Sequence, residues 1–337
     1  MARTSGLTVA VTGPTGTFGF GLLPLLERDD RIARVVGIAR RPFDPSEHGW
    51  SKMTYRRGDV REPASLERAF AGADVVVHLA FMITGMSSGS TVRAINVDGT
   101  LNAFRAAVAS GARRFVYASS VAAYGFHADN PVGMTEDWPV RPADRLFYAQ
   151  EKAELEGLLL AESAVHPEVD LYILRPAIVV GPHTLGAKSL LPEPFASVGR
   201  RLAEAAGRLR LPIPLVVPAL PVQLVDETDV AEAFLLCVVA AGPPGAYNLT
   251  GDGVTTAVEV ARELGFLPVP VPAGVVQAGA RMAAALVLLP FTPPVVGWVE
   301  AFSHPAIMDA GKAKRDLGWT PRYTSLAALR RAVSGAT

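Results

Sequence analysis

Thr12-Gly13-Pro14-Thr15-Gly16-Thr17-Phe18-Gly19 is the stretch that decides the fold. It follows a short apolar run, Leu7–Val11, of strand character, and opens a helical run, Phe18–Glu27. The glycine spacing is G-x2-G-x2-G. Glycines let the chain turn tightly and let the backbone come close to a pyrophosphate. The helix that follows offers unpaired N–H groups and the positive end of its dipole. A purely structural tight turn is the alternative. The strand–turn–helix context favours a dinucleotide site built from Gly13, Thr15, Gly16, Thr17, Phe18 and Gly19.

Outward from this turn, strands and helices alternate. Strand candidates are Arg34–Ala39, Met53–Arg57, Asp74–Ala80, Arg114–Ser119 and Asp170–Arg175. Helix candidates are Glu62–Phe70, Thr91–Ser110 (stopped by Gly111), Leu146–Ser163 and, later, Asp229–Ala240. Such alternation implies an α/β fold with a doubly wound, Rossmann-type parallel sheet. Residues 1–180 are expected to form the dinucleotide-binding domain. Beyond Gly181 prolines break the pattern, at Pro192, Pro194, Pro212, Pro214, Pro218 and Pro221. Residues 181–337 read as a smaller substrate-binding lobe, with about 222–250 returning to the core.

The 337 residues suffice for a large core, and 50% are apolar. With 32 basic and 32 acidic residues the net charge is zero, which gives no electrostatic footprint for nucleic acid. The lone Cys237 excludes an internal disulfide and a cysteine-based zinc site, so no metal is expected. The N-terminal stretch is too weakly apolar for a signal peptide, and no lipidation motif is visible. A cytoplasmic location is the expectation.

The end of the second strand is where an Asp or Glu would bond a ribose 2′-hydroxyl, or an Arg a 2′-phosphate. Here it reads Ala39-Arg40-Arg41. No carboxylate is present to repel the phosphate, and two guanidinium groups can pair with it, so NADP is preferred over NAD as cofactor. Two solvated arginines at a strand end are the plain alternative. Asp59, followed by Val60, is placed to accept from an adenine amino group or to cap the helix near Pro63.

Tyr148-Ala149-Gln150-Glu151-Lys152 puts a phenol and an amine four residues apart on one helix face. A free phenol, with a pKa near 10, is a poor acid–base group at neutral pH. A neighbouring ammonium is expected to lower that value. Ser119-Ser120 ends the preceding strand and supplies a hydroxyl for a substrate carbonyl.

With these pieces in place, the chain resembles the extended short-chain dehydrogenase/reductase family of the NAD-dependent epimerase/dehydratase type. The resemblance runs from Leu7 to about Leu329. It is carried by TGPTGTFG (12–19), GDV (58–60), HLA (78–80), NVDGT (96–100), YASSVAAYG (117–125) and YAQEK (148–152). It continues through LRPAIVVGP (174–182), TDVAEA (228–233), YNLTG (247–251) and KAKRDLGWTP (312–321). The resemblance implies Tyr148 as acid–base, Lys152 as its partner and Ser120 as the carbonyl hydrogen-bonder, with Ser119 as fallback. It implies a cofactor lined by Leu79, Ala80, Phe81, Ala118, Pro176 and Ala177. Asn96 and His78 look structural, and His127 and His183 are at most substrate-wall candidates.

Two departures bear on the substrate. Ile178 and Val222 stand where nucleotide-sugar members usually carry an Asn and an Arg. A buried diphosphate without polar partners is costly. LRPAIVVGP looks more like the 3β-hydroxysteroid dehydrogenase and dihydroflavonol reductase branches. The expectation is hydride transfer between the nicotinamide and a carbonyl or alcohol of a small, largely apolar substrate. A nucleotide-sugar epimerase/dehydratase is the first alternative, and a non-catalytic NADP-binding sensor the second. Residues 282–299 carry no charge but are broken by Pro290, Pro293 and Pro294. They read as core or pocket wall, with membrane-surface contact through 273–299 a minor alternative. A homodimer fits common practice for soluble proteins.

Overall fold

The computed structural model describes residues 6–83, 89–144, 146–185, 213–272, 274–275, 278 and 304–335. Pro192, Pro194, Pro212 and the uncharged run 282–299 lie outside the described residues. So does the 273–289 helix expectation, apart from residues 274, 275 and 278.

Seven strands form a parallel sheet in the order β11-β6-β5-β4-β1-β2-β3. They are β1 (Leu7–Thr12), β2 (Ile32–Ala39), β3 (Met53–Arg57), β4 (Val75–His78), β5 (Arg114–Ala118), β6 (Asp170–Pro176) and β11 (Gly245–Leu249). Val9, Ala10, Val11 and Val75–Val77 are wholly buried, as strands covered on both faces require. One apolar cluster lies against α1 (Thr17–Arg28) and α7 (Glu227–Val238). A second lies against α2 (Pro63–Phe70), α4 (Gly99–Ser110) and α5 (Phe147–Val165). The chain leaves β1 toward β2 and β3, then returns to place β4 on the other side of β1. That reversal leaves a crevice at the carboxyl ends of β1 and β4, where open α/β sheets bind ligands.

The long helix expected over Thr91–Ser110 is interrupted. A short α3 (Gly89–Arg93) leads into a π-turn, Ala94–Asp98, before α4 begins. The wider turn is pinned by Asn96. Its side-chain oxygen accepts from Met82 N (2.7 Å), and its Nδ2 donates to Met82 O (3.0 Å) and Glu151 Oε2 (2.7 Å). Such insertions frequently occur at functional sites.

Smaller strand pairs complete the described residues. After α6 (Pro182–Leu185), β8 (Ile213–Pro218) pairs with β13 (Phe266–Val271), and β9 (Pro221–Val222) with β12 (Thr255–Thr256). Strand β7 (Ile178–Val180) pairs with β10 (Leu224–Asp226). Next to these lie α8 (Ala257–Glu263), α9 (Gly311–Asp316) and α10 (Ser325–Ser334). No helix among the described residues is long and apolar enough to cross a membrane.

Candidate active site

The turn after β1 uses each glycine differently. Gly13 has φ +66°, and a Cβ there would lie 2.9 Å from the Ala80 backbone. A Cβ on Gly19 would lie 2.0 Å from the Pro14 carbonyl oxygen, so only glycine lets α1 start against the turn. Gly16 is the N-cap of α1 and provides no side-chain cap, leaving the first N–H groups of the helix for a ligand. A Cβ at Gly16 would meet only Gly13 O, at 3.3 Å, so the bare backbone forms an open cradle. These residues fit a dinucleotide pyrophosphate.

Beside the turn, Thr12 organises the end of β4. Its hydroxyl accepts from Leu79 N (3.2 Å) and Ala80 N (3.3 Å) and lies 2.9 Å from His78 Nδ1. Thr100 lies 2.9 Å from His78 Nε2, and its own hydroxyl donates to Asn96 O (2.6 Å). The network therefore assigns the proton to Nε2, with Nδ1 accepting from Thr12. Burial, with the Lys152 charge adding, pushes His78 down to about 3, so it is a neutral structural link. Val60 is buried, and its carbonyl accepts from Asn102 Nδ2 (3.2 Å).

At the ribose end, Arg40 and Arg41 are exposed. Among the described residues neither side chain makes a hydrogen bond. Asp59 does not cap α2, whose N-cap is Glu62. Its carboxylate instead accepts from Arg61 N (3.0 Å) and from the Arg61 guanidinium (3.1 and 2.7 Å). Those bonds hold it below the usual carboxylate range, so the helix-cap expectation is corrected.

Ser120, Tyr148 and Lys152 come together at the carboxyl end of β5 and the start of α5. Ser120 Oγ accepts from Ala122 N (3.2 Å) and hydrogen-bonds the Tyr148 hydroxyl. Lys152 is buried. Its Nζ donates to Ala118 O (2.5 Å) and Tyr117 Oη (3.3 Å), and lies 3.7 Å from the centre of the Phe81 ring. Phe81 also meets Tyr148 edge-on at 5.6 Å. Ala177 is buried, and its N–H donates to Leu249 O (2.8 Å), seating Pro176–Ala177 at the end of β6.

The expected lowering of the phenol pKa is not what the site shows. Burial pushes Tyr148 up, and the Ser120 bond offsets this only in part. Lys152 supplies little counter-charge. Burial pushes it down to about 7, and its Nζ is 5.9 Å from the Tyr148 ring centre. Ser119, the fallback hydroxyl, is committed elsewhere, donating to the buried Glu156 carboxylate.

A family model described as "NAD dependent epimerase/dehydratase family" matches residues 9–250. The chain belongs to the NAD dependent epimerase/dehydratase family. An uncharacterized protein of Mycobacterium tuberculosis is 27% identical over 332 residues, covering 95% of this chain and 82% of that one. The human 3 beta-hydroxysteroid dehydrogenase type 7 is 32% identical over 177 residues, covering 47% of this chain and 45% of its own. A dTDP-glucose 4,6-dehydratase from Bacillus anthracis, solved in complex with NAD, superimposes with TM-score 0.72 at 17% identity, covering 98% and 96%.

Within this epimerase/dehydratase frame, the sequence reading missed the buried polar network under the site. Arg175 forms a forked pair with Glu156, through Nε (3.1 Å to each oxygen) and Nη2 (2.5 Å). Arg175 Nη1 also donates to Tyr124 Oη (2.6 Å), which donates in turn to Asn248 Oδ1 (2.9 Å). Glu156 follows Lys152 by one helical turn, and Arg175 sits in an otherwise apolar strand. Those two facts were the available signal. The histidine candidates are engaged. His127 Nε2 lies 2.7 Å from Arg141 O, and His183 Nδ1 lies 2.7 Å from Glu227 Oε1.

Proposed function

We propose that the protein is an NADP(H)-dependent oxidoreductase that interconverts a carbonyl and an alcohol on a small, largely apolar substrate in the cytoplasm. One observation carries this reading: the Tyr148 hydroxyl, bonded to Ser120, sits in apolar surroundings with Lys152 one turn along the same helix. Tyr148 packs against the apolar cluster of Ala122, Phe126, Leu146 and Ala149, as do Ala143 and Ala306, and Phe81 meets its ring edge-on. Ile178 and Val222 keep aliphatic surface partly exposed.

Gly13, Thr15, Gly16, Thr17, Phe18 and Gly19 would hold the pyrophosphate. Arg40 and Arg41 would hold a 2′-phosphate, and Leu79, Ala80, Phe81, Val60, Ala118, Pro176 and Ala177 would line the rest. When bound, the nicotinamide supplies or accepts the hydride. Ser120 orients the carbonyl oxygen. Tyr148 gives that oxygen its proton, and a protonated Lys152 favours the resulting phenolate.

The test is a cofactor-oxidation screen with NADPH and NADH against ketones, steroids and sugar nucleotides, run beside Tyr148→Phe. The expected result is net NADPH turnover on a ketone, lost at least a hundredfold in a variant that still binds cofactor. A Tyr148→Phe protein that binds cofactor and keeps parental turnover would sink the mechanism. A second reading, epimerisation or dehydration of a nucleotide sugar, is favoured by the full-length likeness to a sugar-nucleotide dehydratase. Cofactor that survives purification without net turnover would select it.

A further inference from the structure

Strand β3 brings a third arginine to the ribose end of the crevice. The β2–β3 register pairs Ala39 with Arg57, Ile38 with Arg56 and Gly37 with Tyr55. Side chains alternate along each strand, so Gly37, Ala39, Tyr55 and Arg57 share one face. It is the face of the glycine turn: a Cβ on Gly37 would come within 3.1 Å of Pro14 Cγ. Arg56 lies on the other face, where its Nη1 donates to Arg68 O of α2 (2.6 Å).

Arg57 is held in place. Its Nε donates to Arg40 O (3.0 Å), and Gly58 N donates to Ala39 O (3.0 Å). The Tyr55 hydroxyl donates to the carbonyls of Ala39 (2.9 Å) and Arg41. The three residues after Ile38 are thus fixed by side chains from β3. Arg57 spends one of its five N–H donors on that anchor. Among the described residues its four Nη donors make no other hydrogen bond. The nearby Asp59 carboxylate, which would repel an anion, is already paired with Arg61.

We propose that Arg57 is a specificity residue for the cofactor, completing with Arg40 and Arg41 a three-guanidinium site for a ribose 2′-phosphate. The space is available because Ala39 has only a methyl group where a ribose-binding carboxylate would stand. The cation comes from the neighbouring strand, paired to Ala39 in register. A guanidinium anchored through Nε presents its two Nη groups as a fork, which suits a phosphate better than a free side chain. This rests on the NADP(H) reading above.

The experiment is calorimetric titration with 2′,5′-ADP and 5′-AMP, which differ only in the 2′-phosphate. The parent, Arg57→Gln and Arg57→Lys are compared at low and high salt. The parent is expected to bind 2′,5′-ADP at least about tenfold tighter than 5′-AMP. Arg57→Gln should lose about tenfold of that preference with 5′-AMP binding unchanged, and Arg57→Lys should fall between. The preference should shrink at high salt, because the site is exposed. A parent that prefers 2′,5′-ADP beside an Arg57→Gln protein with the same ratio would overturn the role of Arg57 and leave the NADP(H) reading standing. A parent without preference would overturn both. Equal weakening of the two ligands would also overturn the proposal, since it would show that Arg57 only supports the β2 turn.

Discussion

Replacing Lys152 with Met should stabilise the protein at low pH and stop doing so at high pH. Lys152 is 3% exposed, and burial pushes its pKa from 10.5 down to about 7. Below about pH 7 the folded and unfolded chains both carry the proton, and the folded chain bears the full cost of a buried ammonium. Between about 7 and 10.5 the unfolded chain binds a proton that the folded one does not. Stability contributed by this group therefore rises with pH across that window. At about 1.4 kcal/mol per pH unit the gap sets a ceiling of ~5 kcal/mol. Water entry and relaxation around the charge reduce such costs, so ~2–3 kcal/mol is expected. The variant loses the bond to Ala118 O at every pH, about 1 kcal/mol. Lys152→Met should accordingly be ~1–2 kcal/mol more stable than the parent at pH 6 and slightly less stable near pH 10.5. Urea unfolding of both proteins across that range measures the difference, in which titrations uncoupled from Lys152 cancel. A difference that stays flat within about 0.5 kcal/mol would refute the burial argument.

Two further changes test other parts of the site. Glu156→Gln leaves the Arg175 guanidinium, 5% exposed, without its counter-charge, and should cost about 3–5 kcal/mol in urea unfolding. The double change Glu156→Gln with Arg175→Met should recover part of that loss. Gly19→Ala drives a Cβ into the Pro14 carbonyl and should cost ~2–3 kcal/mol. The same displacement of the glycine turn should weaken dinucleotide binding by at least about tenfold, read by titration.

The fold was legible because its signals are local and repeated. A glycine turn between a strand and a helix, and apolar runs at alternating period, need no knowledge of the rest of the chain. That Tyr148 and Lys152 share one face of a helix was legible for the same reason, since a four-residue spacing defines one helix face. The π-turn was not, because Asn96 widens the helix by bonding Met82 and Glu151, 14 positions before it and 55 after it. Nor was the direction of the Tyr148 shift. Spacing predicts the neighbour but not the burial, and here burial outweighs the neighbour. Arg57 escaped notice because its relation to Ala39 is a strand register, which the sequence does not write down.

The carboxylate one helical turn beyond Lys152 explains why the lysine forms no salt bridge along its own helix. Glu156 is one turn away, a spacing at which a salt bridge is ordinary on an exposed helix. In the buried interior it meets Arg175 instead, whose fork takes both oxygens and whose weaker hydration makes burial cheaper. Lys152 is left with a carbonyl, a phenol hydroxyl and a ring face, none of which carries a full charge. Its protonation then depends on what arrives beside it. A phenolate at Tyr148 would draw the proton onto Lys152, and an ammonium at Lys152 would ease loss of the Tyr148 proton. With cofactor bound, such coupling would make pH–rate profiles report two values belonging to the pair rather than to either residue. Because Glu156 is already spoken for by Arg175, that coupling is not short-circuited by a permanent salt bridge.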